Sequence, residues 1–151
     1  MAAVPAGDSE HRCGPLLDHL ARWIWLRAEP ALTPFHLRPR HLVALTMIRA
    51  GGGISQQALA RTLAMDGTNI VGLLNELESG GLTKRMRSPQ DRRRHLVELT
   101  PLGVERLRDA EGAMATAEDE VLVALAPVER ERLYHLLRRA STAVDEELTA
   151  R

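Results

Sequence analysis

The sequence has a single cysteine, Cys13, among 151 residues, which excludes an internal disulfide framework and any structural zinc site built on cysteine. Aromatic side chains make up only 3% of it (Trp23, Trp25, Phe35 and Tyr134), too few for a β-sandwich or barrel, whose strands are filled by aromatic and β-branched residues. No apolar run approaches the ~20 residues of a membrane-spanning helix; the longest, Val121 to Val128, falls far short. The N-terminus carries Asp8, Glu10, His11 and Arg12 and no apolar stretch of the kind an export signal uses, so the expected address is a reducing cytoplasm with no membrane partner. Enzyme signatures are missing too: there is no G-x-S-x-G, no H-E-x-x-H, no carboxylate pair on one face, and Gly51-Gly52-Gly53 is not followed by Lys-Ser/Thr as a phosphate loop would be. What the chain does have is 44% apolar and 26% charged residues, enough to bury one domain's core and unlike a disordered segment.

Net charge is also absent, 20 basic against 20 acidic residues, but the zero hides an uneven distribution. Residues 1–30 sum to −1, residues 31–100 to +5 and residues 101–151 to −4. Between Lys84 and His95 there are six Lys/Arg and one acid, Asp91. A block of one sign marks an interaction surface or a solvated loop, and the surrounding pattern has to decide which.

Helical spacing begins at Leu16, with Leu20, Trp23 and Ile24 at steps of three or four, and Pro30 and Pro34 are expected to end that helix. A second pattern covers His41–Arg49 and stops at the three glycines. Ser55 is a suitable N-cap for a short helix through Leu63, and Asp66 for the next, whose stripe is Ile70, Leu73, Leu74 and Leu77. Gly80-Gly81 closes it. Two short helices joined tightly fit a helix-turn-helix as well as an ordinary αα-hairpin. Leu82–Arg87 then reads as a strand, Ser88-Pro89-Gln90-Asp91 as a turn, and Arg94–Leu99 as the returning strand, with Leu96 breaking the alternation. A helix-turn-helix followed by a basic hairpin is a winged helix. Thr100-Pro101 starts another helix, with Val104, Leu107, Ala110, Met114, Ala117, Val121 and Leu125 at steps of three or four, and a last helix from Pro127 carries Leu133, Leu136, Leu137, Ala140, Val144 and Leu148. The expected fold is mainly α with a small β-wing.

Two stretches are specific. D-G-T-N-I-V-G-L-L-N-E-L-E-S-G-G-L (Asp66 to Leu82) is followed by K-R-M-R-S-P-Q-D-R-R-R-H-L-V-E-L-T-P-L-G (Lys84 to Gly103). With Asp91-Arg92-Arg93 ahead of Leu99-Thr100-Pro101, and an earlier Leu32-Thr33-Pro34, the chain resembles the MarR family of bacterial winged-helix transcriptional regulators over about residues 14–148. The resemblance implies an obligate homodimer bound to double-stranded DNA at a pseudo-palindromic operator, usually repressing. It also implies release by a small aromatic or phenolic effector, by a metal or by cysteine oxidation. Residues 1–13 would be a flexible N-terminus, 14–32 and 101–151 the helical dimerisation region, and 33–100 the winged helix-turn-helix.

For groove readout, short polar side chains are needed where a helix meets base edges. Thr68 and Asn69 stand at that end, with Gly72 and Asn75 further along; many relatives carry Arg or another polar residue where this chain has Gly72, which shifts weight to shape and backbone contacts. In the wing, Arg93 is the expected minor-groove side chain, where the potential is most negative, with Asp91 expected to hold its guanidinium. Lys84, Arg85, Arg87, Arg92 and Arg94 are expected at phosphates, which position without specifying, as are Ser55, Gln56 and Gln57 at a helix N-terminus. Trp23, His36, Arg40 and His41 are candidates to line an effector pocket. Glu131 and His135 are spaced i,i+4, but no cluster reaches three ligands, so no metal or other cofactor is expected. Cys13 lies where some relatives sense peroxide, with only His11 and Arg12 nearby to lower its pKa. A redox sensor using Cys13, or a winged helix used for protein contacts, is the alternative function.

Overall fold

A computed structural model describes residues 11–149. Of the stretch 1–13 expected to be flexible, residues 1–10 lie outside the described residues, and Cys13 already opens the first helix; the Leu148 side chain is likewise outside them. Helix α1 (Cys13–Leu32) runs through Pro30 rather than ending there. Proline removes one i→i−4 hydrogen bond, but Ala28 and Leu32 are fully buried, and their packing carries the last turn past it. A 3-10 turn over Thr33–Phe35 holds Pro34 and ends at His36, in the left-handed region at φ 56°. Helix α2 (Pro39–Gly51) begins two residues before His41, because Pro39 suits a first helical turn.

Ile54–Ser55, read from sequence only as a restart of the chain, forms a strand, β1. It pairs antiparallel with β3 (His95–Leu99), Ile54 opposite Val97 and Ser55 opposite Leu96, while β2 (Thr83–Arg87) pairs with the other edge of β3. The order β1-β3-β2 makes β3 central. On it the misfit Leu96 is half-buried, its side chain beside Gly53, while Val97 on the other face is buried.

Helices α3 (Gln56–Thr62) and α4 (Gly67–Ser79) begin where their caps were expected: Ser55 Oγ accepts from Ala58 N at 3.1 Å, and Asp66 Oδ1 from Asn69 N at 2.8 Å. Each such cap is worth about 0.5–2 kcal/mol against alanine. The turn between them uses Ala64 at φ 51°, a non-glycine residue in the left-handed region, held by Ala64 N donating to Arg61 O and Met65 N to Ala60 O. Ile70, Leu73, Leu74 and Leu77 are all buried, as the stripe required, and they meet Leu45, Ile48, Leu59 and Leu107 in one core.

Helix α5 (Pro101–Val121) is capped by Thr100, whose Oγ1 accepts from Gly103 N at 3.0 Å and donates to Gly81 O at 2.5 Å. A Cβ on Gly103 would lie 2.0 Å from Leu82 O, so the glycine of the L-T-P-x-G stretch is required by close approach of α5 to the strand backbone. Along α5, Ala110 and Ala117 are buried and small enough to let α1 lie close. Helix α6 (Pro127–Thr149) contrasts with the rest. Of its expected stripe, Leu133 is half-buried, while Leu136, Leu137, Ala140 and Val144 are exposed. Leu16, Leu17 and Leu26 on α1 are exposed as well. Two amphipathic helices thus present apolar side chains that a single chain does not cover.

Candidate nucleic-acid interface

The N-terminal end of α4 is open to solvent, with Thr68, Asn69, Gly72 and Asn75 all exposed on the side opposite its buried stripe. Asn69 is held in place by its own cap: Asp66 Oδ2 accepts from Asn69 Nδ2 at 2.7 Å. Its carboxamide oxygen and second N–H remain for an outside partner. At the start of α3, Ser55 and Gln56 are half-buried and Gln57 is exposed.

The wing tip is organised around Ser88, which is buried. Its N–H donates to Arg94 O at 2.8 Å, closing the β2–β3 hairpin. Its Oγ accepts from the N–H groups of Gln90 and Asp91 at 3.3 and 3.4 Å and donates to Gln90 Oε1. Asp91 then departs from expectation. Its carboxylate accepts from the backbone N–H of Arg93 at 3.0 Å and lies 3.7 Å from Arg94 Nε, not against the Arg93 guanidinium. With the Arg93 N–H and the Arg94 side chain on its two oxygens, the acid fixes the backbone, and the Arg93 guanidinium is unpaired among the described residues. Lys84, Arg87 and Arg92 are unpaired among them too, and all four cations are exposed.

Arg85 is exposed too but has partners on α4. Its Nη2 donates to Asn75 Oδ1 at 3.4 Å and its Nε lies 3.3 Å from Glu78 Oε1, so two side chains expected at DNA tie the wing to α4 instead. A second tie was not legible in the sequence. Glu76 on α4 receives Arg40 Nη2 on both oxygens, at 2.8 and 2.9 Å, and the His41 Nε2–H on Oε2 at 2.6 Å. His41 Nδ1 accepts from Arg38 N at 3.0 Å, which fixes the neutral tautomer with its proton on Nε2. The His41 hydrogen bond, the largest effect, holds the Glu76 carboxyl below the usual carboxylate range; desolvation, next in size, opposes it, and the Arg40 charge and hydrogen bond add to the lowering. The only sequence signal for this clamp was a basic pair at the start of α2 and an acid at the polar edge of α4.

Arg40 and His41 are thus engaged with α4 rather than with a pocket. His36 is an exposed helix terminus, and Trp23 is exposed, edge-on to His19 at 6.4 Å. None of these four lines either of two grooves in the structure. One, of about 470 Å³, lies between α1, α2, α5 and α6 and is lined by Trp25, Leu42, Met47, Met114, Glu118 and Tyr134 among others. The other, of about 850 Å³, lies between α1 and α6. Trp25 and Tyr134 could not be placed by sequence because helical periodicity does not show which helices meet. Cys13 is exposed in the first turn of α1. Among the described residues no group of three His, Cys, Asp or Glu side chains could hold a metal ion, and no helix is long and apolar enough to cross a membrane.

Comparison with known proteins agrees with this geometry. The profile of the MarR family matches residues 37–95. A protein of Thauera aromatica named for regulation of the hcr operon is 39% identical over 95 residues, covering 63% of this chain and 57% of that one. The HTH-type regulator YdgJ of Bacillus subtilis is 33% identical over 65% of this chain and 60% of its own. The chain therefore spans less than two thirds of these two relatives. The transcriptional regulator HosA of Escherichia coli O111:H- is 30% identical over 83% of this chain and 88% of its own. Among solved structures, a MarR crystal structure superposes with a TM-score of 0.78 at 26% identity, covering 93% of this chain and 96% of that one. CouR of Rhodococcus jostii RHA1, crystallised with p-coumaroyl-CoA, superposes at 0.72 with 27% identity, covering 87% and 93%. The fold, the Asp91-Arg92-Arg93 wing tip and a relative matched along most of its length agree: this chain belongs to the MarR family.

Proposed function

We propose that this protein is a cytoplasmic transcriptional regulator that binds double-stranded DNA sequence-specifically as a homodimer, acting as a repressor, and that a small molecule tunes its affinity. The observation that carries this is the set of unpaired wing cations, Lys84, Arg87, Arg92 and Arg93, beside the exposed polar end of α4. Cations left without internal partners beside a capped helix end suit a polyanion whose phosphates position the chain while Thr68 and Asn69 meet base edges. Arg93, with its backbone fixed by Asp91, is the side chain for a minor groove. The exposed leucines of α1 and α6 supply the self-complementary surface that a two-fold dimer needs. Such a dimer sets two recognition helices about 34 Å apart, one turn of duplex. The groove between α1, α2, α5 and α6 adjoins both the exposed α1 face and the winged helix, so a molecule seated there changes their relative placement; that CouR, a structural relative, was crystallised with p-coumaroyl-CoA supports a small-molecule effector in general.

Fluorescence anisotropy with an inverted-repeat duplex, titrated over salt, tests the DNA claim. The logarithm of affinity falls with the logarithm of salt at about 0.9 per neutralised phosphate. A salt-independent affinity, or a monomer in sedimentation equilibrium at the concentrations that bind, overturns it.

A further inference from the structure

We propose that the groove between α1, α2, α5 and α6 takes a hydrophobic cation, an aromatic body carrying a protonated amine or a quaternary centre, in place of the carboxylate or phenolate that a phenolic effector would bring. The proposal rests on the reading of that groove as the effector site. Its walls are apolar and aromatic, with Trp25 and Tyr134 among them, and its ionisable lining side chains are Glu111, Glu118 and Tyr134; no Lys, Arg or His lines it. Glu111 is already paired with Arg49. Glu118 has no hydrogen-bond or ion-pair partner among the described residues, and it lines both grooves.

The Glu118 side chain is exposed to solvent and borders apolar walls with no cationic side chain paired to it. Desolvation by its surroundings, with the neighbouring Asp119 charge adding to it, pushes the Glu118 carboxyl above its usual range. A cation beside the carboxylate offsets both effects by direct attraction to its ionised form, and aromatic faces add an attraction of their own. An anion meets the opposite situation, a like charge and no basic side chain to receive it. A second copy of the chain is a poor occupant, because the apolar side chains most exposed on α1 and α6, Leu16, Leu26, Val128 and Val144, lie outside this groove.

Tetraphenylphosphonium, tetraphenylborate and triphenylphosphine oxide share an aromatic body and differ in charge, which makes them suitable probes of the full chain by titration calorimetry. The phosphonium is expected to bind about tenfold more tightly than the neutral oxide, the gain of one screened charge pair with a cation–π contribution, and the borate not at all. In Glu118→Gln the phosphonium loses its advantage over the oxide; comparing two ligands on one variant keeps a loosened fold from imitating the result. Ala115→Trp, which fills the groove from an exposed position on α5, blocks both. Borate binding as tightly as phosphonium, a cation preference that survives Glu118→Gln, or phosphonium binding unaffected by Ala115→Trp overturns the proposal. Binding of the neutral oxide without charge preference refutes the cation while leaving the groove a ligand site. No binding by any of the three refutes both. DNA affinity measured with and without the bound phosphonium tests the effector role separately.

Discussion

Glu76→Gln isolates the clamp between α2 and α4 with little change of size. In the wild type one carboxylate accepts from two donors at once, Arg40 at 2.8 and 2.9 Å and His41 at 2.6 Å. A carboxamide has one oxygen, so either Arg40 or His41 then faces an NH2 group, donor against donor. Both partners of the Arg40–Glu76 pair are nearly half exposed, at 46% and 48%, and solvent screening limits that part to about 0.2–1 kcal/mol. The His41 side chain is 9% exposed, and a hydrogen bond from it to a charged acceptor is worth about 1.5–3 kcal/mol. Since the carboxamide oxygen keeps one of the two donors, the variant should lose about 1–2 kcal/mol at pH 7, read as a lower urea midpoint at fixed protein concentration. Because the folded-state pKa of Glu76 is lowered, its contribution is present above the unfolded carboxylate value of about 4.3 and disappears as pH falls through the lower, folded value. The gap between wild type and variant should accordingly be full at pH 7 and begin to shrink only below about pH 5. A midpoint unchanged at pH 7, or a gap that widens as pH falls, refutes the reasoning.

Arg93→Ala should weaken operator binding and reduce the salt slope by about one, with the dimer unchanged in sedimentation; equal affinity removes the minor-groove role. Asn69→Ala should cost about 1–3 kcal/mol on the operator and much less on random duplex, and an equal loss on both contradicts base readout. Gly103→Ala should destabilise the fold by at least about 2 kcal/mol, since the added methyl meets a backbone oxygen that cannot give way; a thermal melt within a degree of wild type would show that the helix shifts freely. Cys13→Ser should leave any response of DNA binding to peroxide unchanged, because the thiol sits exposed with no described partner; a response present in the wild type and lost in the variant reverses this.

Features that need only a few consecutive residues were readable from the sequence. Ser55, Asp66 and Thr100 each cap a helix because the bond runs from one residue to an N–H three positions on. The stripe Ile70, Leu73, Leu74 and Leu77 declared its buried face by period alone, and the basic hairpin announced itself by turn chemistry between two short runs. Local rules failed where packing overruled them: Pro30 inside α1, Ala64 with positive φ, and β1, which at two residues has no period to detect.

The tertiary structure alone decided which charges are satisfied. Whether Arg93 or Arg94 meets Asp91 depends on how the tip bends, and Arg85 turns from a phosphate ligand into a strut once α4 lies beside it. His41 and Glu76 are 35 residues apart, and Trp25, Met47, Glu118 and Tyr134 belong to four helices, so no spacing in the chain relates them. Sequence set the elements because their hydrogen bonds are local; charge pairing and groove shape depend on distances between distant segments, which exist only after the core has closed.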